Sequence, residues 1–229
     1  MKTKPGNRKQ LTLTSRLAQA GYKALNRIPY LPSARTYNMT VCHEKSFIWF
    51  RVAKVCTRSI FNALQQSELT LDVEHPSWLH YPARAMHDYF KFAFVRNPWD
   101  RLVSCWHNKV VDSNAFQFSA AEHRRMQSFT AFVDYVGTLD IGHCNRHMRL
   151  QSHLIDLNAI DFIGRFESFD DDFRFIADRI GIAHHALEAR NSSNNRKDYR
   201  DYYDTALQER VGAIYRKDIQ IFGYSFDNP

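Results

Sequence analysis

The segment KFAFVRNPWDRLVSCW at positions 91–106 leaves this chain few choices, because it reads as a buried strand that stops abruptly and becomes a helix. Phe92 to Val95 form a short apolar run of β-formers. Arg96, Asn97 and Pro98 then interrupt it with a charge, a capping side chain and a residue whose φ is locked. Asn97 suits the helix N-cap, and Pro98 suits the first helical position, where its missing N–H is no loss. Beyond it, Trp99, Leu102, Val103 and Trp106 recur at helical spacing and predict a core-facing stripe, with Arg101, Ser104 and Asn108 on the opposite face. A strand-end Arg96 and a hydroxyl two turns into the helix then converge on the carboxyl edge of a sheet. A phosphate is the natural occupant there, since helix N-termini offer free N–H groups and a positive dipole end. An arginine paired with a nearby carboxylate is the other reading this stretch allows.

A second unit of the same kind precedes it. Residues 46–52 read as a strand, fully buried at 47–50, and residues 53–59, AKVCTRS, form a basic, hydroxyl-bearing loop into a helix. With no glycine, this loop is not a GxxxxGK[ST] cradle. Its chemistry is nevertheless similar: Lys54 offers a point charge, Thr57 and Ser59 hydroxyls, and the helix start its N–H groups. Parallel strands in an α/β sheet put both loops at one edge, which predicts a ligand with two separated anionic ends.

Between the loops, 69–73 reads as a strand or extended segment and 83–89 as a short helix. After Trp106, helices are predicted at 120–126, 129–136 and 169–180, an irregular polar segment at 140–151, a strand at 159–163, a loop at 191–200 and a last helix from the Asp204 cap to Tyr215. The fold expected is a single α/β domain, a central parallel sheet flanked by helices, over 41–229, preceded by a basic arm over 1–40.

The charge is uneven. Eight of the 31 basic residues precede Glu44, the first acid, leaving 23 against all 24 acidic residues. Leu17, Gly21, Ala24, Leu25 and Ile28 recur at helical spacing within the arm, which is read as a helix docked on its own domain; peripheral contact with an anionic membrane is the other arrangement its charge allows. No apolar run reaches the roughly 18 residues of a membrane span, and no signal peptide is evident, so a cytoplasmic location is expected. The four cysteines show neither a CxxC pair nor disulfide spacing, and His143, Cys144, His147 and His153 are read as hydrogen-bonding groups, with no metal expected.

With both loops in hand, the chain resembles the sulfotransferases that use 3′-phosphoadenosine-5′-phosphosulfate (PAPS), in the branch of the Golgi carbohydrate sulfotransferases and their bacterial relatives. Residues 94–104, FVRNPWDRLVS, look like that family's 3′-phosphate motif, whose arginine and serine stand as Arg96 and Ser104 do. Residues 53–59 look like its 5′-phosphosulfate loop, with Ala53 where the family usually has proline; 163–167 with the acidic helix start after it, 202–204, Tyr215 and 222–224 are further, less specific likenesses. The resemblance implies in-line sulfuryl transfer from PAPS to an acceptor hydroxyl, most naturally on a carbohydrate, with adenosine 3′,5′-bisphosphate as the product. It implies that Lys54, Val55, Cys56, Thr57, Arg58 and Ser59 hold the 5′ end, that Arg96 and Ser104 hold the 3′-phosphate, and that Lys54 is the catalytic cation. His80 is the expected base, with His75 as the alternative, and His147 and Gln151 are the expected acceptor contacts.

Two other classes compete. A nucleotide-dependent phosphotransferase needs a glycine-rich loop and a magnesium-binding acid after a strand, and neither is in place. A polyanion-binding protein would act through the basic arm alone; no specific nucleic acid is expected as a partner.

Overall fold

The computed structural model describes residues 33–74, 78–183 and 197–227, with Leu13, Arg16, Leu17, Ala20 and Gly21 of the N-terminal stretch in helical conformation. Its centre is a four-stranded sheet in the order β1 (Met39–Cys42), β2 (Phe47–Phe50), β3 (Phe90–Val95), β4 (Phe162–Arg165). Strands β2, β3 and β4 are parallel, with Phe50 opposite Ala93 and Ala93 opposite Ile163. The sheet departs from the fully parallel expectation at one edge, where β1 pairs antiparallel to β2. The predicted arm boundary at 40 falls inside β1.

All four residues of β2 and five of the six in β3 are buried, which is why 47–50 and 92–95 read as unbroken apolar runs. Helix α1 (Thr57–Gln66) follows β2, and α2 (Pro98–Trp106) follows β3, so both strand-to-helix loops leave the same sheet edge. Asn97 caps α2 as its sequence predicts, its side chain accepting from the Trp99 N–H at 3.0 Å. The rest of the chain adds α3 (Ala120–Met126), α4 (Phe129–Gly137), α5 (Phe169–Ile180), α6 (Thr205–Ile214) and α7 (Arg216–Phe222). Two apolar clusters result. One joins the sheet to α1 and α5; the other packs α2 against α4 and α6 through Trp99, Leu102, Val103 and Trp106.

Several local expectations change. Residues 83–89 are turns, not a helix: the ammonium of Lys91 reaches back to the carbonyls of His87 at 3.0 Å and Tyr89 at 2.7 Å, closing the segment onto the start of β3. Residues 69–73 form no strand and contribute one bridge, Val41 to Val73. Strand β4 begins three residues later than expected, and α7 follows α6 directly. Residues 191–196 of the predicted loop lie outside the described residues, and Tyr199–Tyr202 form a 3-10 turn. Among the described residues, no helix is long and apolar enough to cross a membrane.

Candidate active site

The two loops open into one cleft of about 740 Å³ at the carboxyl edge of β2 and β3. In the first loop, Lys54 (φ 74°) and Cys56 (φ 49°) adopt the left-handed conformation without being glycine, each at a cost of about 1–2 kcal/mol. Strain of this kind persists where surrounding structure holds it, often at functional sites. Here the Thr57 hydroxyl pins the loop by donating to the Val52 carbonyl at 2.9 Å. A left-handed Cys56 followed by the helical Thr57 is a backbone pattern that aims successive N–H groups at an anion. No side chain caps α1 and its first turn carries no acid, so that end keeps its positive dipole. Lys54, Val55, Cys56, Thr57 and Arg58 line the cleft; Ser59, one residue further, does not.

The second loop is locked to the first. Arg96 is 7% exposed, and its guanidinium donates to Asp100 through Nε at 2.7 Å and Nη2 at 2.6 Å, and to the Lys54 carbonyl through Nη1 at 3.2 Å. It also lies 3.7 Å from the centre of the Phe166 ring. Both readings of Arg96 from sequence therefore meet in one side chain, which faces the cleft and is paired with a carboxylate. Ser104 lines the same cleft.

Arg101 is a correction. Expected on the ligand-facing side, it is 1% exposed and donates to three backbone carbonyls: Ala53 at 3.0 Å, Arg149 at 2.9 Å and Arg146 at 3.0 Å. It ties the Lys54 loop to the segment carrying His147. Gln151 is a second correction. Its side chain is fully buried, with the amide oxygen accepting from the Arg96 N–H at 3.0 Å and the amide nitrogen donating to the Arg96 carbonyl at 2.9 Å. It holds the backbone of Arg96 and does not line the cleft.

The far wall carries His107, Asn108, Lys109, Asp112, Arg146 and His147. His147 has Nδ1 2.9 Å from the Asn145 side-chain oxygen, so Nδ1 carries the proton and Nε2 keeps a lone pair. Burial, then the charges of Lys109, Arg146, Lys54 and Arg101, push its pKa down to about 3. Burial likewise lowers Lys54 to about 8; Cys105 opposes that shift, and Lys109, Arg96 and Arg58 add to it. Arg51, stacked on Trp49 and Phe61, is lowered to about 10 by burial and Arg146. Six arginines and lysines meet one carboxylate on the cleft wall, Asp112.

His80, the expected base, lies apart. It follows the bridge between Tyr37 and Leu79, has Nδ1 2.7 Å from the Ser33 carbonyl oxygen, and does not line the cleft. His75 lies outside the described residues. His147, expected as an acceptor contact, lines the cleft; the sequence signal for a base there was slight, a histidine two residues after an asparagine able to fix its tautomer. Among the described residues, no group of three or more His, Cys, Asp and Glu is placed to hold a metal.

Comparison with known proteins bears on this geometry. The chain is 27% identical over 213 residues to carbohydrate sulfotransferase 14 of Danio rerio, covering 79% of this chain and 57% of that protein. It is 30% identical over 149 residues to carbohydrate sulfotransferase 14 of Mus musculus (54% of this chain, 38% of that one). With carbohydrate sulfotransferase 8 of Mus musculus it shares 29% over 172 residues (60% and 40%). The chain thus spans less than two-thirds of the length of these curated relatives. No solved structure matches it. The model of the Sulfotransferase family matches residues 37–225, which takes in the whole sheet and every residue of the cleft, and the chain belongs to that family.

Proposed function

We propose that this chain transfers a sulfuryl group from PAPS to a hydroxyl of a carbohydrate. One observation carries the reading: the Lys54 and Arg96 loops open into a single cationic cleft and are bonded to each other there, Arg96 Nη1 to the Lys54 carbonyl. Two anion-grade loops at a fixed separation fit a nucleotide phosphorylated at both ends. The names of the relatives support the carbohydrate acceptor.

When bound, PAPS supplies an activated sulfuryl group on its 5′-phosphate. Lys54, the N–H groups at the start of α1 and Arg58 are suited to the 5′ end, and Arg96 and Ser104 to the 3′-phosphate. His147 is proposed as the base in place of His80, because it lines the cleft, its Nδ1 is taken by Asn145, and its ring stays neutral among cations. Anionic groups in the cleft would offset those cations and make Nε2 a better proton acceptor. Lys54 is suited to balance charge on the oxygen that leaves with the nucleotide.

Thermal unfolding with adenosine 3′,5′-bisphosphate, ATP and AMP tests this. At a hundred times its dissociation constant the bisphosphate adds about 2.7 kcal/mol to the stability of the native chain, and Arg96→Ala loses that gain. A chain that ATP stabilises equally, or that no nucleotide stabilises, is not a PAPS enzyme.

A further inference from the structure

Two corners leave the sheet toward the cleft, and their backbone N–H groups are used in opposite ways. At the start of α1 no side chain caps the helix. At the corner between β3 and α2, every N–H from Arg96 to Trp99 already has an acceptor inside the protein. The Arg96 N–H donates to Gln151 Oε1 at 3.0 Å, the Asn97 N–H to Glu167 Oε1 at 2.7 Å and the Trp99 N–H to Asn97 Oδ1 at 3.0 Å; Pro98 has no N–H. These four residues therefore offer a ligand no backbone donor, and the corner can grip a phosphate only through side chains. Where the Arg96 guanidinium points then depends on how the corner itself is held.

Two side chains hold it, reaching across 55 and 70 residues of sequence. The Gln151 carboxamide accepts from the Arg96 N–H and donates to the Arg96 carbonyl at 2.9 Å. A planar carboxamide carries an acceptor and a donor side by side, which matches the N–H and C=O of a single residue. Gln151 is fully buried, and its own backbone is fixed in turn. The buried Asp218 of α7 accepts from the N–H groups of Gln151 at 2.6 Å and Ser152 at 3.0 Å. Glu167, just after β4, accepts from the Asn97 N–H with one oxygen and from the Tyr224 hydroxyl at 3.0 Å with the other. Asn97 Nδ2 donates to the Ser225 carbonyl at 2.9 Å. The supports of the corner thus end on residues 218–225, near the C-terminus.

Neither Gln151 nor Glu167 lines the cleft, so each can act on a ligand only through Arg96 and Asn97. We propose that Gln151 and Glu167 are positioning residues of the 3′-phosphate site, which fix the corner from which Arg96 reaches the nucleotide. This rests on the sulfuryl-transfer reading above. The two ends of the nucleotide then differ in what they depend on. The 5′ end meets the N–H groups at the start of α1 and is indifferent to these supports; the 3′ end meets Arg96 and Ser104 and depends on them, because a small displacement of a positioned group forfeits much of its contact.

The test is titration calorimetry of adenosine 3′,5′-bisphosphate and 5′-AMP on the full chain and on Gln151→Met, Glu167→Met, Glu167→Gln and Tyr224→Phe, each below its own unfolding temperature. Gln151→Met and Glu167→Met weaken the bisphosphate on the order of 10-fold, the loss of one well-aimed charged contact, and keep 5′-AMP to within about twofold. Glu167→Gln keeps an acceptor for the Asn97 N–H and stays within about threefold of the native affinity for both ligands. Tyr224→Phe removes one hydroxyl outside the corner and lowers the preference for the bisphosphate about two- to threefold; where the Met variants do not fold, it decides alone. Variants that keep the native preference, or that weaken both ligands together, overturn the positioning role and leave these residues a part in stability only. A native chain that binds the bisphosphate no better than 5′-AMP overturns the nucleotide reading first, and the positioning role with it.

Discussion

The Nε of the buried Arg101 donates to the carbonyl of Ala53 across 48 residues of sequence, at 3.0 Å. Its other nitrogens bind the Arg146 and Arg149 carbonyls, so one guanidinium sets the spacing between the loop of Lys54 and the segment of His147.

Replacing Arg101 by Met keeps much of the volume and strands three carbonyls. Urea unfolding should show a loss of about 3 kcal/mol or more, because each buried group left unpaired costs roughly 1–3 kcal/mol. A variant as stable as the native chain would mean that these carbonyls find water or new donors, and that the spacing is set elsewhere.

Lys54 should behave as a residue kept at the expense of stability. Burial lowers its pKa from 10.5 to about 8, so the penalty for charging it in the fold is fully present below pH 8 and fades as pH rises toward the unfolded value. Lys54→Met should therefore raise the unfolding temperature at pH 7 by about 2–4 °C, the shift that a gain on the order of 1 kcal/mol gives a chain of this size. The same variant should lose PAPS turnover. An unfolding temperature that falls would show that Lys54 is held by attractive contacts.

His147 is depressed in the fold from 6.5 to about 3, so the unfolded chain binds more protons between those values. Stability should fall as pH drops from about 6.5 toward 3, and His147→Gln should flatten that decline while leaving stability at pH 8 nearly unchanged. Equal acid slopes for the two chains would place the titrating group elsewhere.

Gly164 sits opposite Phe94 in the β3–β4 pair, and a Cβ there would stand 2.5 Å from Cε1 of that fully buried ring. Gly164→Ala should cost about 1–3 kcal/mol, the range for overpacking a filled core, measured by chemical denaturation. A neutral substitution would mean that the Phe94 ring has room to turn.

The parts legible in the sequence are those fixed by local chemistry. Asn97 and Pro98 carry their own reason for starting a helix, and the apolar runs at 47–50 and 92–95 announce strands covered on both faces. Strand β1 has four residues and no such signal, and its place is set by pairing with β2. The turns at 83–89 mimic helical periodicity until the Lys91 ammonium is seen binding two carbonyls of that segment. Arg101 reads as a cleft residue because a charge is expected to seek solvent or ligand, and its carbonyl partners lie 45 to 48 residues away. Gln151 fails to read for a related reason: it bonds to a backbone 55 residues distant.

The central claim is that one cleft grips a nucleotide by both ends. Titration calorimetry of adenosine 3′,5′-bisphosphate, 5′-AMP and 3′-AMP, on the native chain and on Ser104→Ala, tests it most directly. The bisphosphate should bind about 100-fold tighter than either monophosphate, a difference of about 2.7 kcal/mol. Ser104→Ala should erode that advantage while leaving 5′-AMP unaffected. Equal affinity for all three ligands, or a Ser104→Ala variant that weakens 5′-AMP as much as the bisphosphate, would contradict the two-ended site.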